Sequence, residues 1–471
     1  MGEYVKALSA YENALKIEEK SLLIDHPKVA ATYNNLGSIH NKMGAYSIAL
    51  SCFEKSIQIT KKFLPSIHPD LSVTYSNIGL VYQSMGEYTK ALSYYEKTLS
   101  IDEQSLPPEH PTVAVTYLNI ASVYTLMGEY SNAVKYYEKA IKIQDKSLSP
   151  DHPALATSYN NLGVVYNKMA NYSTSLIYHE KVLKIQLKLI PMNYSTLAVT
   201  YNNLGHLSDA LGNYSQALLY YEKTLDMQHK SFPPDHPDFA NTYNNTASTN
   251  NSLGEFDKAL EYYRKALEIQ EKSESPNQQL LADIYSNIGL VYQSLDEHLM
   301  ALPYYEKTLE LQRRCLSNEH PSLAITYNNI ASVHNLTEEY SKSLAYYEKA
   351  LEIQLKSLPS VHPDLATTYS NIGMVYQSIG EYHKALSYLE KALEIEHKCL
   401  PPNHPSFNIT HYNIAEAFEY LHRYEEAIQH AQLAVDIARQ SFDSDHDEVL
   451  ENEALLHRIQ QKLKETSHTN V

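Results

Sequence analysis

Two side-chain types recur at spacings that invite chemistry. The first is histidine, of which the chain has 22. His-Pro pairs stand at His26, His68, His110, His152, His236, His320, His362 and His404, always 42 residues apart or a multiple of it. Imidazole binds metals and moves protons near neutral pH. Ligands of one zinc ion, however, must converge within about 2.1 Å of it. Rings one period apart along a stack cannot converge, so no metal and no cofactor is expected. Proline at the first position of a helix sacrifices no bonded N–H, and the histidine before it is expected to cap that helix. No H-E-x-x-H, phosphate-binding glycine loop, dinucleotide fingerprint or nucleophile elbow occurs. No catalytic residue is expected within 1–471, and the chain is not expected to be an enzyme.

The second type is asparagine. Asn35, Asn77, Asn119, Asn161, Asn203, Asn245, Asn287, Asn329, Asn371 and Asn413 hold one place in successive periods. A side-chain amide offers two donor hydrogens and an acceptor oxygen. A row of amides can pair with the backbone of an extended peptide whatever its sequence. It can equally bond from unit to unit and fix their stacking; both roles can coexist. Residues 31, 35, 38 and 42 and their equivalents form one helical stripe. Across ten units these 40 positions hold four charges, Lys42, Lys168, Asp283 and Glu416, which sum to zero. The stripe is otherwise amide, hydroxyl and aliphatic.

The elements that carry these residues follow from periodicity. Tyr33, Leu36, Gly37 and His40 fall on one helical face, and Ala49, Phe53 and Ile57 on a second. A Gly-x-Tyr turn, as at Gly44 and Gly86, separates the two. Gly or Ala recurs at 37, 79 and 121, and Ala or Ser at 7, 49 and 91, so paired helices are expected to approach closely. Tyrosine, 41 residues against no tryptophan, is expected to fill the space beside these small positions. An unbroken period of this length means a solenoid of stacked units.

Composition narrows the partners. Lys and Arg number 38 and Asp and Glu 55, a net charge of −17. An acidic protein repels phosphate backbones, so neither nucleic acid nor an anionic membrane is expected as partner. Because the stripe is neutral, the excess acid lies on the second helices and loops. Cys52, Cys315 and Cys399 form no C-x-x-C pair, which fits a reducing compartment. No apolar run reaches the roughly 18 residues needed to span a bilayer.

Tyr75-x-x-Ile78-Gly79-x-x-Tyr82 followed by Ala91-x-x-x-Tyr95 resembles the tetratricopeptide repeat pattern. The 42-residue unit, with His-Pro, Asn-Asn-Leu and Tyr-Tyr-Glu-Lys-Ala-Leu, is similar to the kinesin light chain repeats and their relatives, including nephrocystin-3. The resemblance covers essentially the whole chain. It implies an all-α fold, a right-handed superhelical solenoid of antiparallel helix pairs whose first helices line a concave groove. It places the asparagine row in that groove, where the matching residue of related arrays contacts the ligand backbone. It implies a non-catalytic scaffold binding a peptide or partner protein, in the cytoplasm, and extends to cytoskeletal association through kinesin heavy chain or its cargo. Kinesin light chains have a basic groove and join their heavy chain through heptads; this chain has neither, so a neutral extended segment is expected in place of an acidic peptide. Arrays of this type also follow ADP-ribosyltransferase or NTPase modules, and the alternative reading is the binding tail of such a protein.

The pattern frays in places. Gly2-Glu3-Tyr4 aligns with Gly86-Glu87-Tyr88, so residues 1–24 read as a second helix without its first. That helix is expected either to cap the array imperfectly or to continue a longer protein upstream of Met1. Ten complete pairs are expected over 25–445, and a capping helix and tail over 446–471. Thr246, Thr249 and Asn250 replace apolar residues, which predicts a softer joint at 240–252. Asp296 replaces a turn glycine, and Pro303 sits early in a second helix.

Overall fold

The structure is a computed structural model that describes residues 2–21, 26–401, 404–441 and 446–469. Among these residues there are 22 helices and no strand. The chain forms two compact units, Met1–Pro233 and Pro234–Val471. The first holds α1 (Gly2–Ser21) to α11 (Tyr214–Ser231), the second α12 (Asp238–Ser252) to α22 (Asp447–Thr469). The boundary at 24/25 lies outside the described residues, as does residue 445 at the other.

The pair α4 (Pro69–Ser84) and α5 (Tyr88–Ser105) shows how each unit is made. His68 is extended, and its Nδ1 accepts the Asp70 N–H at 3.2 Å. A helix start leaves N–H groups without partners, and the ring satisfies one. The same bond recurs at His26, His110, His152, His236, His320, His362, His404 and His446. At the other end, the Glu87 N–H bonds the Tyr82 carbonyl and the Gly86 N–H that of Gln83, the double bond of a Schellman ending. Gly86 has φ +77°, a left-handed conformation glycine adopts freely. Ala170, Asp296, Glu338 and His422 take the same place at φ +56° to +60°. α15 (His298–Cys315) continues unbroken through Pro303.

Packing follows the small positions. A Cβ on Gly79 would lie 2.8 Å from the Tyr95 ring, and one on Gly205 2.6 Å from Tyr221. Tyr95 and Tyr221 are buried, and in these two repeats the ring takes the space a Cβ would need, while Ala121, Ala247 and Ala331 hold the same place beside the buried Tyr137, Tyr263 and Tyr347. Beside each such contact a second aromatic group forms. Tyr94 stacks on Tyr82 at 5.5 Å, and the Lys97 ammonium sits 4.3 Å above the Tyr94 ring. The arrangement repeats at Tyr124–Tyr136–Lys139 and at Tyr376–Tyr388–Lys391.

Successive pairs are joined by a buried polar column. Thr32 donates to Glu18, Thr116 to Asp102, Ser158 to Gln144, Thr326 to Gln312 and Thr410 to Glu396, at 2.7–3.0 Å. Each bond ties a second helix to the first helix of the next pair. A buried oxygen left unpaired costs about 1–3 kcal/mol, so the column fixes the register of stacking.

α12 departs from the rule. Thr246, Thr249 and Asn250 are buried, and their side chains bond back to carbonyls of their own helix. Such bonds satisfy polar groups without adding cohesion to neighbours.

Candidate functional site

The stripe at 31, 35, 38 and 42 is open in both units. Val73, Val115, Val199, Ile325 and Ile409 occupy its first position and are 50–58% exposed. Leu80 and Leu290 at the third position, and Leu126, Leu336 and Tyr420 at the fourth, are also exposed. Aliphatic groups so placed contribute nothing to the core of their own pair. Together they give each unit a band of apolar knobs interleaved with amides.

The asparagines are not equivalent. Asn77 Nδ2 donates to Asn34 Oδ1 at 3.1 Å, Asn119 to Ser76 Oγ at 3.5 Å and Asn287 to Asn244 Oδ1 at 3.3 Å. Each acceptor lies on the preceding first helix, 43 residues earlier. These three amides therefore stitch neighbouring units. Each keeps a second N–H and a carbonyl oxygen.

Asn35, Asn161, Asn203, Asn329 and Asn371 make no such side-chain bond; Asn35 is exposed and the other four half-buried. For Asn161 the cause is visible: the residue 43 places earlier is Leu118, which offers no acceptor. Asn245 is half-buried and has an interaction of its own. Asn413 is 7% exposed, and its backbone carbonyl accepts from Gln377. The structure thus brings nine of the ten asparagines to or near the open stripe and puts Asn413 in the core.

Electrostatics keep the stripe close to neutral. Burial pushes the carboxyl groups of Asp283 and Glu416 up, opposed by a hydrogen bond from Gln279 and by the charge of Arg458 respectively. Lys42 lies 6.0 Å from the Tyr4 ring.

Titratable groups elsewhere serve packing. His179 takes the buried tyrosine's place against Gly163, and burial pulls its ring down to about 4. Burial, with the charges of His430 and His397, does the same to His411, whose Nδ1 lies 2.9 Å from that of His430. Among the described residues no group of three or more His, Cys, Asp or Glu is set to hold a metal ion. The nine His-Pro and His-Asp rings whose Nδ1 accepts a backbone N–H are caps. A cleft of about 470 Å³ is lined by His422–Glu426, Leu463 and Thr466, none of them a stripe residue.

Two features escaped the sequence: the buried column and which of the asparagines stitch neighbouring repeats. The column had a signal in the 14-residue spacing of its partners. A polar residue 43 places earlier does not mark the stitching asparagines, since Asn203, Asn329 and Asn371 have Asn160, Ser286 and Asn328 there and make no such bond.

A family model described as Tetratricopeptide repeat matches residues 1–62, 70–146, 112–188, 196–272, 280–356 and 322–398, and a second of the same description matches 371–442. The chain belongs to the tetratricopeptide repeat family. Tetratricopeptide arrays are protein-interaction scaffolds, and the exposed amide and aliphatic stripe is suited to that use. No curated protein matches the chain. Among solved structures, the apo form of the quorum sensor NprR from B. thuringiensis is similar at 19% identity and a TM-score of 0.54, over 75% of this chain and 97% of its own. BtubC (BKLC) from P. vanneervenii is 21% identical over 49% of this chain and 93% of its own, with a TM-score of 0.44. A putative kinesin light chain from Podosopora anserina with nearly identical TPR-like repeats is 25% identical over 44% of this chain and 98% of its own, at a TM-score of 0.40. The likeness to NprR supports the tetratricopeptide fold and nothing finer. No described helix is long and apolar enough to cross a membrane.

Proposed function

We propose that residues 1–471 form a non-catalytic scaffold that holds an extended, uncharged peptide segment of a partner protein along the first-helix stripe. The observation that carries this reading is the stripe itself. Half-exposed Val199 and Ile325 stand one turn before Asn203 and Asn329, amides that make no side-chain bond, and the exposed Val73, Val115 and Ile409 add apolar surface at the same stripe position in other repeats. Aliphatic knobs gain from burial about 25 cal/mol per Å². Amides supply backbone hydrogen bonds that do not depend on the ligand's sequence. A tetratricopeptide repeat forms the structural frame, so residues 1–24 serve as a half-unit, 25–445 as ten pairs and 446–471 as the cap and tail.

The same reading places the protein in the kinesin light chain-like group with nephrocystin-3, working in the cytoplasm as a cargo adaptor. The 42-residue unit with His-Pro and Asn-Asn-Leu supports the group. The neutral stripe favours a neutral cargo segment over an acidic one, and phosphate-bearing nucleic acid is disfavoured by the net charge of −17.

Selection of a displayed library of random twelve-residue peptides on the full chain tests the proposal. Enriched sequences should lack net charge and carry aliphatic residues. An acidic consensus, or enrichment that survives Val115→Glu and Ile325→Glu together, overturns it.

A further inference from the structure

The polar column has one position where the chain's own side chain is too short to cross the joint. In later repeats a buried glutamine spans the gap to the next first helix. Gln144 accepts from Ser158 at 2.7 Å and Gln312 from Thr326 at 2.8 Å, and the Gln354 amide donates to the Asp364 carbonyl at 3.4 Å. The equivalent residues between the first two complete pairs are Thr60, Thr74 and Asp70. Thr60 lies on α3 (Tyr46–Phe63), and its hydroxyl donates to the Ser56 carbonyl of the same helix at 2.8 Å. The Thr74 hydroxyl likewise turns back, to the Asp70 carbonyl at 2.9 Å.

Beside these residues lies a cavity of about 140 Å³, several times the roughly 30 Å³ of one water molecule. Its inner wall is polar: Ser56, Thr60 and Thr74 line it, and all three are buried. Its other lining includes Ala31 on α2 (Pro27–Lys42) and Val73 on α4. Both hold the first stripe position of their repeats, and Val73 is half-exposed. The cavity is therefore reached from the stripe.

We propose that this cavity receives a glutamine side chain of the peptide held on the stripe, in the place that the chain's own glutamine fills in later repeats. The inference rests on the stripe's being the peptide groove. A hydroxyl rotates to suit its partner, so Thr74 turns from the Asp70 carbonyl and donates to the guest's amide oxygen, as Ser158 and Thr326 do to Gln144 and Gln312. The Asp70 carbonyl then accepts an N–H of the guest amide, as that of Asp364 does from Gln354. Other side chains match less well. An aliphatic guest leaves Thr74 bonded to Asp70 and gains no hydrogen bond. A lysine ammonium offers the Thr74 hydroxyl no acceptor. A glutamate has no N–H for the carbonyl and meets the exposed carboxylate of Asp70, which also lines the cavity.

The twelve-residue library is selected in parallel on the parent chain and on Thr60→Gln, whose own amide fills the cavity. Uncharged aliphatic sequences should be enriched by both. Glutamine should recur at one fixed spacing from the aliphatic residues on the parent alone. Changing that glutamine to alanine or glutamate in a selected peptide should weaken its binding to the parent about tenfold, read by fluorescence anisotropy. The alanine change should weaken binding to Thr60→Gln by no more than about twofold. Thr74→Val, which keeps the volume and removes the donor, should also abolish the glutamine preference, and it carries the test if Thr60→Gln fails to fold. Uncharged peptides enriched without a recurring glutamine, or a glutamine that matters equally to parent and variants, overturn this inference and leave the groove reading standing. An acidic consensus, or no enrichment at all, overturns the groove reading and this inference with it.

Discussion

Glu396 offers a stability test whose size can be worked out. It lies on α19 (Tyr382–Cys399) in the polar column, is 5% exposed, and accepts from Thr410 through one carboxyl oxygen only. Its Oε2 has no partner. Burial pushes the carboxyl up to about 7, with the Thr410 bond opposing. The folded state therefore prefers the neutral acid. Stability from this group is complete below the unfolded value of about 4.5 and is lost as pH rises through 7. At 1.36 kcal/mol per pH unit the loss approaches about 3 kcal/mol, and solvent relaxation makes about 2 kcal/mol a fairer figure. Equivalent positions carry Gln144, Gln228, Gln270, Gln312 and Gln354, which are uncharged. Glu396→Gln should thus stabilise the last units by about 2 kcal/mol at pH 8 and by little at pH 4.5. Hydrogen exchange in α20 (Ser406–Tyr420) reads this locally, which matters because repeat arrays need not unfold in one step. Other titrating groups, His411 and His430 among them, are common to both proteins and cancel in the difference. A gain that is the same at both pH values, or a loss at pH 8, refutes the reasoning.

Other perturbations follow from the same packing rules. Thr60 stands in the column where most units carry glutamine, and a cavity of about 140 Å³ lies beside it, Ser56 and Thr74. Thr60→Gln should fill it and raise stability in urea denaturation by about 1 kcal/mol; a loss would show that the cavity is needed. Glu338 holds φ +60° in a turn where other units place glycine, so Glu338→Gly should gain about 1 kcal/mol, and an unchanged melting temperature would show that the turn carries no strain. Backbone amides of 240–252 should exchange faster than those of flanking first helices, because Thr246, Thr249 and Asn250 bond within α12; equal protection contradicts the soft joint.

Much of this architecture was legible because a solenoid repeats its constraints. His-Pro read as a cap from proline's missing N–H and from the spacing of the rings, and every described His-Pro ring makes the capping bond. Gly79 and its equivalents read as close-approach sites, and the Tyr95 ring occupies the space a Cβ would take. What periodicity hides is the difference between identical residues. Asn77 and Asn161 look alike in sequence, yet one meets Asn34 and the other follows Leu118. Asn413 is drawn into the core in the last complete pair, where the neighbouring first-helix register passes to α22. The column was missed because its two ends lie on different faces of different helices, and neither end alone departs from an ordinary amphipathic pattern.

The central claim is that the amides without a stacking role are the ones that hold a ligand. One quadruple and one triple variant separate the roles: Asn161, Asn203, Asn329 and Asn371 to Ala, and Asn77, Asn119 and Asn287 to Ala. Affinity for a library-selected peptide and the melting temperature would be measured on both. The first set should lose binding at least tenfold with its melting temperature within about 2 °C of the parent, since no bond within the fold is removed. The second should melt earlier, since each change removes a bond between units of about 1 kcal/mol. Unchanged peptide affinity in the first set would contradict the claim and leave the asparagine row a stacking device alone.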